Sequence, residues 1–309
     1  MKKQISFGLV FAAVLVLFGT ILYAVDEPIT FNQDDTLRVI QGKLDKMREE
    51  IAKNGYSYEV GLNSAMQYPI GQLCTFKPEL ADADSYVYEK NETDLYYNAL
   101  ALPTAYAGIY TPIKNQGSCG SCWAFSMTAE VETTAKRLTG TTYDLSEQYV
   151  LDCTSTTWGC NGGFFNYVTF ISPKGALAEA CRPYKAKKVK PCSTGGCPIV
   201  YQISNWAYVG TSTSVPTVDA IKNAIYTYGA VGAAVYVDSY WQAYVSGCFS
   251  GTAAGSCNHA IQLVGWDDTQ CGTGAWRLKN SWGTSWGEAG LMWIKYGSQL
   301  VGYAACYSY

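Results

Sequence analysis

Gln116-Gly-Ser-Cys-Gly-Ser-Cys122-Trp-Ala-Phe-Ser-Met-Thr-Ala-Glu-Val-Glu-Thr-Thr-Ala-Lys-Arg-Leu-Thr-Gly140 is the stretch from which the rest of the chain is best read. From Cys122 onward it predicts a helix that ends at Gly140, with Lys136 and Arg137 in the last turn, where cations meet the negative end of the helix dipole. Cys122 then stands at the helix N-terminus, where the positive end of the dipole favours a thiolate. Leu145-Ser146-Glu-Gln148 opens a second, shorter helix with Ser146 as its N-cap. Asp219 to Tyr228 makes a third, with Ile221, Ala224, Ile225 and Tyr228 on one face. After Gly229 the character changes. Ala230 to Val237, His259 to Gly265, Ala275 to Lys279 and Gly290 to Lys295 are short, β-branched or aromatic, and separated by glycine-rich turns. Helices first and strands second predict an α+β protein with a helical lobe, a sheet lobe and a cleft between them.

A cysteine nucleophile needs a partner that takes its proton and later gives it to a leaving group. The chain has one histidine, His259, so a catalytic Cys122 has a single available imidazole. An imidazolium needs its second nitrogen engaged, and Asn280, in Lys279-Asn-Ser-Trp-Gly283, offers an amide oxygen that Trp282 can shield from water. Read singly, Asn280 and Trp282 are a strand end and a core aromatic. Acyl transfer also needs donors aimed at the oxygen of the tetrahedral intermediate. Gln116, six residues before Cys122, carries an amide that could join the Cys122 backbone N–H there. The competing use of Cys119-Gly-Ser-Cys122 is a redox pair, but such pairs belong to a compact βαβ module of about half this size.

A net charge of −3 and only 15% charged residues leave no basic stripe of the kind that binds nucleic acid. Met1-Lys-Lys3 followed by apolar Ile5 to Ala24 reads as a secretory signal cleaved after Ala24. The alternative is an uncleaved anchor, since the run approaches spanning length. Twelve cysteines behind an export signal imply an oxidising compartment and a disulfide framework. With Cys74 set aside, eleven remain from Cys119 onward, five pairs and one thiol over. Cys122 is the expected free one if the others pair among themselves, although parity alone does not identify it.

Residues 25–101 differ in character from the C-terminal two thirds of the chain. Leu37, Ile40, Leu44, Met47 and Ile51 recur at helical spacing, with Asn54-Gly55 as the C-terminal cap, and Pro78 to Asn98 reads as an extended, acidic, tyrosine-rich connector. Asn91-Glu-Thr93 is a glycosylation sequon, a pattern common by chance.

From about Leu102 to the C-terminus the chain resembles the papain family of cysteine peptidases. The resemblance rests on Thr111-Pro-Ile-Lys-Asn-Gln-Gly-Ser-Cys-Gly-Ser-Cys-Trp-Ala-Phe-Ser126, Leu145-Ser-Glu-Gln148, Gly159-Cys-Asn-Gly-Gly163, Asn258-His-Ala260, and Lys279-Asn-Ser-Trp-Gly283 followed by Trp286-Gly-Glu288. It implies a two-lobed papain-like fold, with a mainly helical N-terminal lobe and an antiparallel, barrel-like β lobe. Residues 1–24 would be the signal peptide, 25–101 an inhibitory pro-region and 102–309 the peptidase domain. By the same resemblance Cys122 is the nucleophile, His259 the acid/base, Asn280 its orienter and Gln116 the oxyanion donor. Gly162 and Gly163 line the cleft, Gly163 binding substrate backbone as an added strand would. Phe164 and Phe165 lie near the pocket for the second residue before the cut, unless they are core, and Trp282 is counted with them among the substrate-binding residues. Implied disulfides are Cys119 with Cys160, Cys153 with Cys192, Cys181 with Cys197, Cys248 with Cys257 and Cys271 with Cys306.

The chain departs from the family in three places, the first being that Cys248 and Cys257 bracket an insertion close to His259, where the family usually pairs a cysteine before its histidine with one near the C-terminus. The usual Asp-Trp-Arg near the mature N-terminus is missing, and the pro-region lacks the helix signature of the cathepsin L-like branch. With His259 assigned, no histidine remains for the occluding loop of cathepsin B-like enzymes, which points to an endopeptidase. The expectation is a secreted, monomeric zymogen that acts on peptides and proteins, is held inactive by its own pro-region and needs no metal or organic cofactor. A peptide ligase on the same acyl-enzyme, or a non-catalytic binding protein on this fold, are the alternatives.

Overall fold

A computed structural model of the chain describes residues 29–32, 34–81 and 102–309. The signal reading of residues 1–24, most of the connector and the Asn91 sequon lie outside the described residues. Among those described, no helix is long and apolar enough to cross a membrane.

The upstream segment forms helix α1 (Leu37–Lys53), strand β1 (Ser57–Val60) and a short helix α2 (Ile70–Leu73). Thr36 caps α1 by accepting from the Val39 N–H, and Asn54 with left-handed Gly55 ends it. Leu44, Met47 and Ile51 are buried as the helical spacing predicts, whereas Leu37, the first position of that pattern, faces solvent. The buried face joins Tyr58, Val60, Met66 and Leu73 in one core with Trp241, Phe249, Trp282 and Trp286. The segment is thus fastened to the sheet lobe by apolar burial, the dominant favourable contribution to such docking.

After β2 (Ala105–Ala107), the helical lobe is built from α3 (Cys122–Thr139) and α4 (Glu147–Cys153), with a two-stranded ribbon of β3 (Ala176–Leu177) and β4 (Ile199–Tyr201). Gly140 ends α3 in the left-handed conformation that glycine adopts without steric cost. Ser146 caps α4 through the Tyr149 N–H. The sheet lobe contains β5 (Trp206–Tyr208), α5 (Val218–Tyr228), β6 (Val231–Val235), α6 (Ser239–Gln242), β7 (Tyr244–Phe249), β8 (His259–Asp267), β9 (Ala275–Lys279), β10 (Leu291–Lys295) and β11 (Tyr303–Ser308). The nine-stranded sheet has the order β1-β7-β10-β9-β8-β6-β11-β5, with β2 alongside β8. Its pairings are antiparallel except β7 with β10, which run parallel, so the lobe is mixed rather than uniformly antiparallel. The first strand in that order, β1, comes from the upstream segment.

Four disulfides form among the described residues: Cys119–Cys160, Cys153–Cys192, Cys181–Cys197 and Cys248–Cys271. The last corrects two expected pairings, Cys248 with Cys257 and Cys271 with Cys306. Cys248 lies on β7, and the short turn Gln270–Gly272 that carries Cys271 packs against β7 and β10, bringing the two Cα atoms to 5.5 Å. Cys306 is on β11, on the far side of β8 and β6, and its thiol meets the Tyr167 hydroxyl at 3.4 Å and the Gly232 carbonyl at 3.5 Å. Cys257 is buried against the helical lobe. Cys74, Cys122, Cys257 and Cys306 remain thiols, all buried.

Candidate active site

Cys122 is the first residue of α3 and His259 the first of β8. The two elements pack with these ends together. Ser126 Oγ donates to the Ile261 carbonyl at 2.6 Å, and Gln262 Nε2 donates to the Ala129 carbonyl at 3.0 Å and to Thr133 Oγ1 at 2.9 Å. The backbones of Ala260, next to His259, and of Trp123 favour the charged form of the Cys122 sulfur.

The segment before α3 is tied to the one after β9. Gln116 N donates to the Ser281 carbonyl at 2.9 Å, and Asn115 bridges to Trp282 in an antiparallel pair. Ser281 Oγ donates to Gln116 Oε1 at 2.8 Å, which fixes the amide orientation and turns Nε2 toward Cys119 and the cleft. His259 Nε2 meets Asn280 Oδ1 at 2.8 Å, and the Ser281 N–H donates to the same oxygen at 2.8 Å. That oxygen accepts only, so Nε2 carries the proton. Ring centroids of Trp282 and Trp241 lie 4.9 and 5.6 Å from the imidazole, with Trp286 stacked on Trp241. Ser281 and Trp241 were missed at the sequence level. Ser281 is a small residue inside a motif whose neighbours drew the attention, and Trp241 sits in a stretch with no motif at all.

The upstream segment runs through this site. Leu73 gives its carbonyl to Gln116 Nε2 at 2.9 Å. Thr75 Oγ1 donates to the Gly120 carbonyl at 2.5 Å. Phe76 N donates to the Asn258 carbonyl at 2.9 Å, and Lys77 N to the Gly163 carbonyl at 3.1 Å. The Phe76 ring lies against Phe164 and Phe165 at 4.9 and 5.0 Å, so those two buried rings line the wall that Phe76 covers. Gly162, at φ +117°, passes so close that a Cβ would collide with the Thr75 carbonyl. At Gly163 a Cβ would come within 2.7 Å of the Trp123 ring.

Covered in this way, the site is dry. Burial pushes the Cys122 thiol up, against the hydrogen bonds from Thr75, Ala260 and Trp123. Burial pulls His259 down to about 4, against Asn280 and the Leu73 backbone, which favour its charged form. Among the described residues Nδ1 has no partner in hydrogen-bonding geometry. The covered pair is therefore thiol and neutral imidazole. Among the described residues no group of three or more His, Cys, Asp or Glu side chains is arranged to hold a metal ion.

A thiol at a helix N-terminus, an imidazole held by an amide, and a glycine-lined cleft between a helical and a sheet lobe define the architecture of a cysteine peptidase. The family model described as papain family cysteine protease matches residues 104–309. Ananain of Ananas comosus is 34% identical over 246 residues, which cover 78% of this chain and 69% of ananain. Fruit bromelain of the same plant is 37% identical over 187 residues, 60% of this chain, and the match spans 51% of its length. The structure of a recombinant stem bromelain precursor superimposes with a TM-score of 0.73 at 30% identity, covering 88% of this chain and 89% of that one. The chain belongs to the papain family of cysteine proteases.

Proposed function

We propose that this protein is an exported cysteine endopeptidase made as a zymogen, with residues 25–101 as its inhibitory pro-region and 102–309 as its peptidase domain. The observation that carries the reading is a peptide carbonyl of the upstream segment, that of Leu73, bound to Gln116 Nε2 at 2.9 Å. With the cleft open to water, the thiol gives its proton to His259, which Asn280 holds in place. The thiolate attacks a substrate carbonyl, and Gln116 Nε2 and the Cys122 backbone N–H stabilise the oxyanion. His259 returns the proton to the leaving amine, and water activated by the same ring releases the thioester.

The pro-region blocks this chemistry by its direction. In a substrate, the residue in the Phe164/Phe165 pocket precedes the carbonyl that is attacked. Here Phe76 occupies that wall and follows Leu73 in sequence, pairing in parallel with Gly163. The strap thus presents a carbonyl to the oxyanion donor while its chain runs backwards. His259 is the sole histidine, so no second imidazole is present to hold a substrate C-terminus, in keeping with endopeptidase action. The apolar run Ile5 to Ala24 and the four disulfides support export.

An internally quenched peptide with both ends blocked tests the assignment. The enzyme freed of residues 25–101 is expected to cleave it, and Cys122→Ala to be folded and inert. Hydrolysis retained in Cys122→Ala, or cleavage only of peptides with a free C-terminus, would contradict the reading.

A further inference from the structure

Gln262 and Lys279 are register partners in the antiparallel pairing of β8 with β9. Side chains of such partners stand on the same face of the sheet, and here that face meets α3. Gln262 spends both amide hydrogens there, on the Ala129 carbonyl and on Thr133 Oγ1. Lys279 Nζ donates to Thr111 Oγ1 at 3.0 Å, and Thr111 in turn to Glu132. Both residues are buried, at 1% and 5% exposure, and these bonds do not satisfy either of them. Gln262 Oε1 has no partner among the described residues. An ammonium offers three hydrogens, of which Lys279 uses one among the described residues. A narrow cavity of about 20 Å³ is lined by both side chains and also by Ser126, Glu132, Asn280 and Ser281. Ser126 Oγ gives its hydrogen to the Ile261 carbonyl, so toward the cavity it can only accept. An unspent acceptor, spare N–H donors and a second acceptor around such a space are what one water molecule requires, since about 10–15 Å³ and about two to four polar contacts suffice.

We propose that a structural water is built into this junction, accepting from Lys279 Nζ and donating to Gln262 Oε1 and Ser126 Oγ, and that through it Gln262 is a positioning residue of the catalytic set. The inference rests on the reading of Cys122, His259 and Asn280 as that set. The three elements that meet at the water carry Cys122 and His259 at their first positions and Asn280 immediately after the last. Direct bonds from Ser126 and Gln262 tie α3 to β8, and Lys279 ties β9 to α3 by way of Thr111 and Glu132. The water supplies the cross-tie between the two strands on this face. It holds the strand end bearing the imidazole against the one bearing its amide, whose hydrogen bond is 2.8 Å long. Burial pulls Lys279 down to about 8, with Glu132 and Glu147 opposing and Lys114 and Lys136 adding to the shift. An amine in place of the ammonium still has a hydrogen to give the water, so the tie survives that titration. Misplacing reacting groups by about 1 Å can cost about 10²-fold in rate, so a tie of this kind acts on the chemical step more than on substrate binding.

The test is a crystal structure of the full chain at a resolution that shows ordered water, repeated for Gln262→Met and Gln262→Glu, with kinetics of all three after removal of the strap. The wild type is expected to show one water within about 3.2 Å of both Lys279 Nζ and Gln262 Oε1. Gln262→Met, of equal length and without an acceptor, is expected to show none there, and its kcat on the blocked peptide to fall about ten-fold with KM within about two-fold of the wild type. Gln262→Glu keeps an acceptor beside Lys279 while losing the amide hydrogens, so it is expected to keep the water and a kcat above that of Gln262→Met. Wild-type density with no water at that position overturns the site, whatever the variants do. An unchanged kcat in Gln262→Met, or a loss carried by KM, overturns the positioning role. A wild-type enzyme that holds the water and hydrolyses nothing rejects the peptidase reading and the positioning role with it, while the water site stands on its density.

Discussion

Gln116 has its amide fixed from one end by Ser281 Oγ, so that the other end is presented to a carbonyl. A donor held in this way acts most strongly on the charge of the transition state. Gln116→Ala is therefore expected to lower the kcat of the strap-free enzyme by about 10²–10³ with little change in KM. An equal loss in KM alone would assign Gln116 to substrate binding instead. His259 governs the pH response of the covered form. Its folded value of about 4 lies below the ordinary 6.5, so the unfolded chain binds more protons between those two values. The stabilising contribution is present in full above about 6.5 and is lost as pH falls to about 4, a change of about 3 kcal/mol. Glu130, pushed up to about 7 by burial, acts in the opposite direction. The difference between wild type and His259→Ala, in denaturant titrations at pH 7 and pH 4.5, isolates the histidine. Parallel behaviour of the two proteins would remove His259 from the account.

Among the elements, α3 is held where it is by more than apolar packing. Lys114 meets Glu132 at 2.9 Å, Glu147 at 2.8 Å and Asp144 at 2.8 Å, joining the approach to α3, α3 itself and the start of α4. The side chains of Glu132 and Glu147 are 1% and 2% exposed, and burial already pushes Glu147 up to about 8 against the pull of Lys114, so loss of the ammonium leaves this buried acidic cluster without its cation. Lys114→Ala is expected to destabilise the chain by about 3–5 kcal/mol in urea unfolding at neutral pH, and a loss under about 1 kcal/mol, the range of exposed ion pairs, would mean the cluster is solvated. Helix α3 was legible because Gly140 and the basic last turn mark its end, and α4 because Ser146 caps it. Strands β7 and β11 were not. Gly247 interrupts the alternation of β7, and β11 is buried along nearly its whole length, a pattern that periodicity cannot separate from other buried segments. The pairing of Cys248 with Cys271 depends on strand order, which cysteine spacing does not carry.

At the scale of the whole molecule, two lobes bring Gln116, Cys122, His259 and Asn280 to one cleft, and a segment more than forty residues upstream of the nucleophile closes it. These four residues were singled out in the sequence because the types required by acyl transfer are few and one of them, histidine, occurs once. The strap's course could not be read from sequence. Residues Leu73 to Lys77 show no periodicity, and their placement comes from α1 and β1 docking on the sheet lobe and from hydrogen bonds to Gln116, Gly120 and Gly163. The central claim is that this course keeps a competent Cys122–His259 pair covered. Intact mass and peptide mapping after exposure to the epoxide inhibitor E-64, on the reduced full chain and on the reduced enzyme freed of its strap, test it most directly. The account predicts one adduct, on Cys122, in the freed enzyme only, and none in freed His259→Ala. An adduct formed equally fast in the full chain, or none on folded, strap-free enzyme, would contradict it.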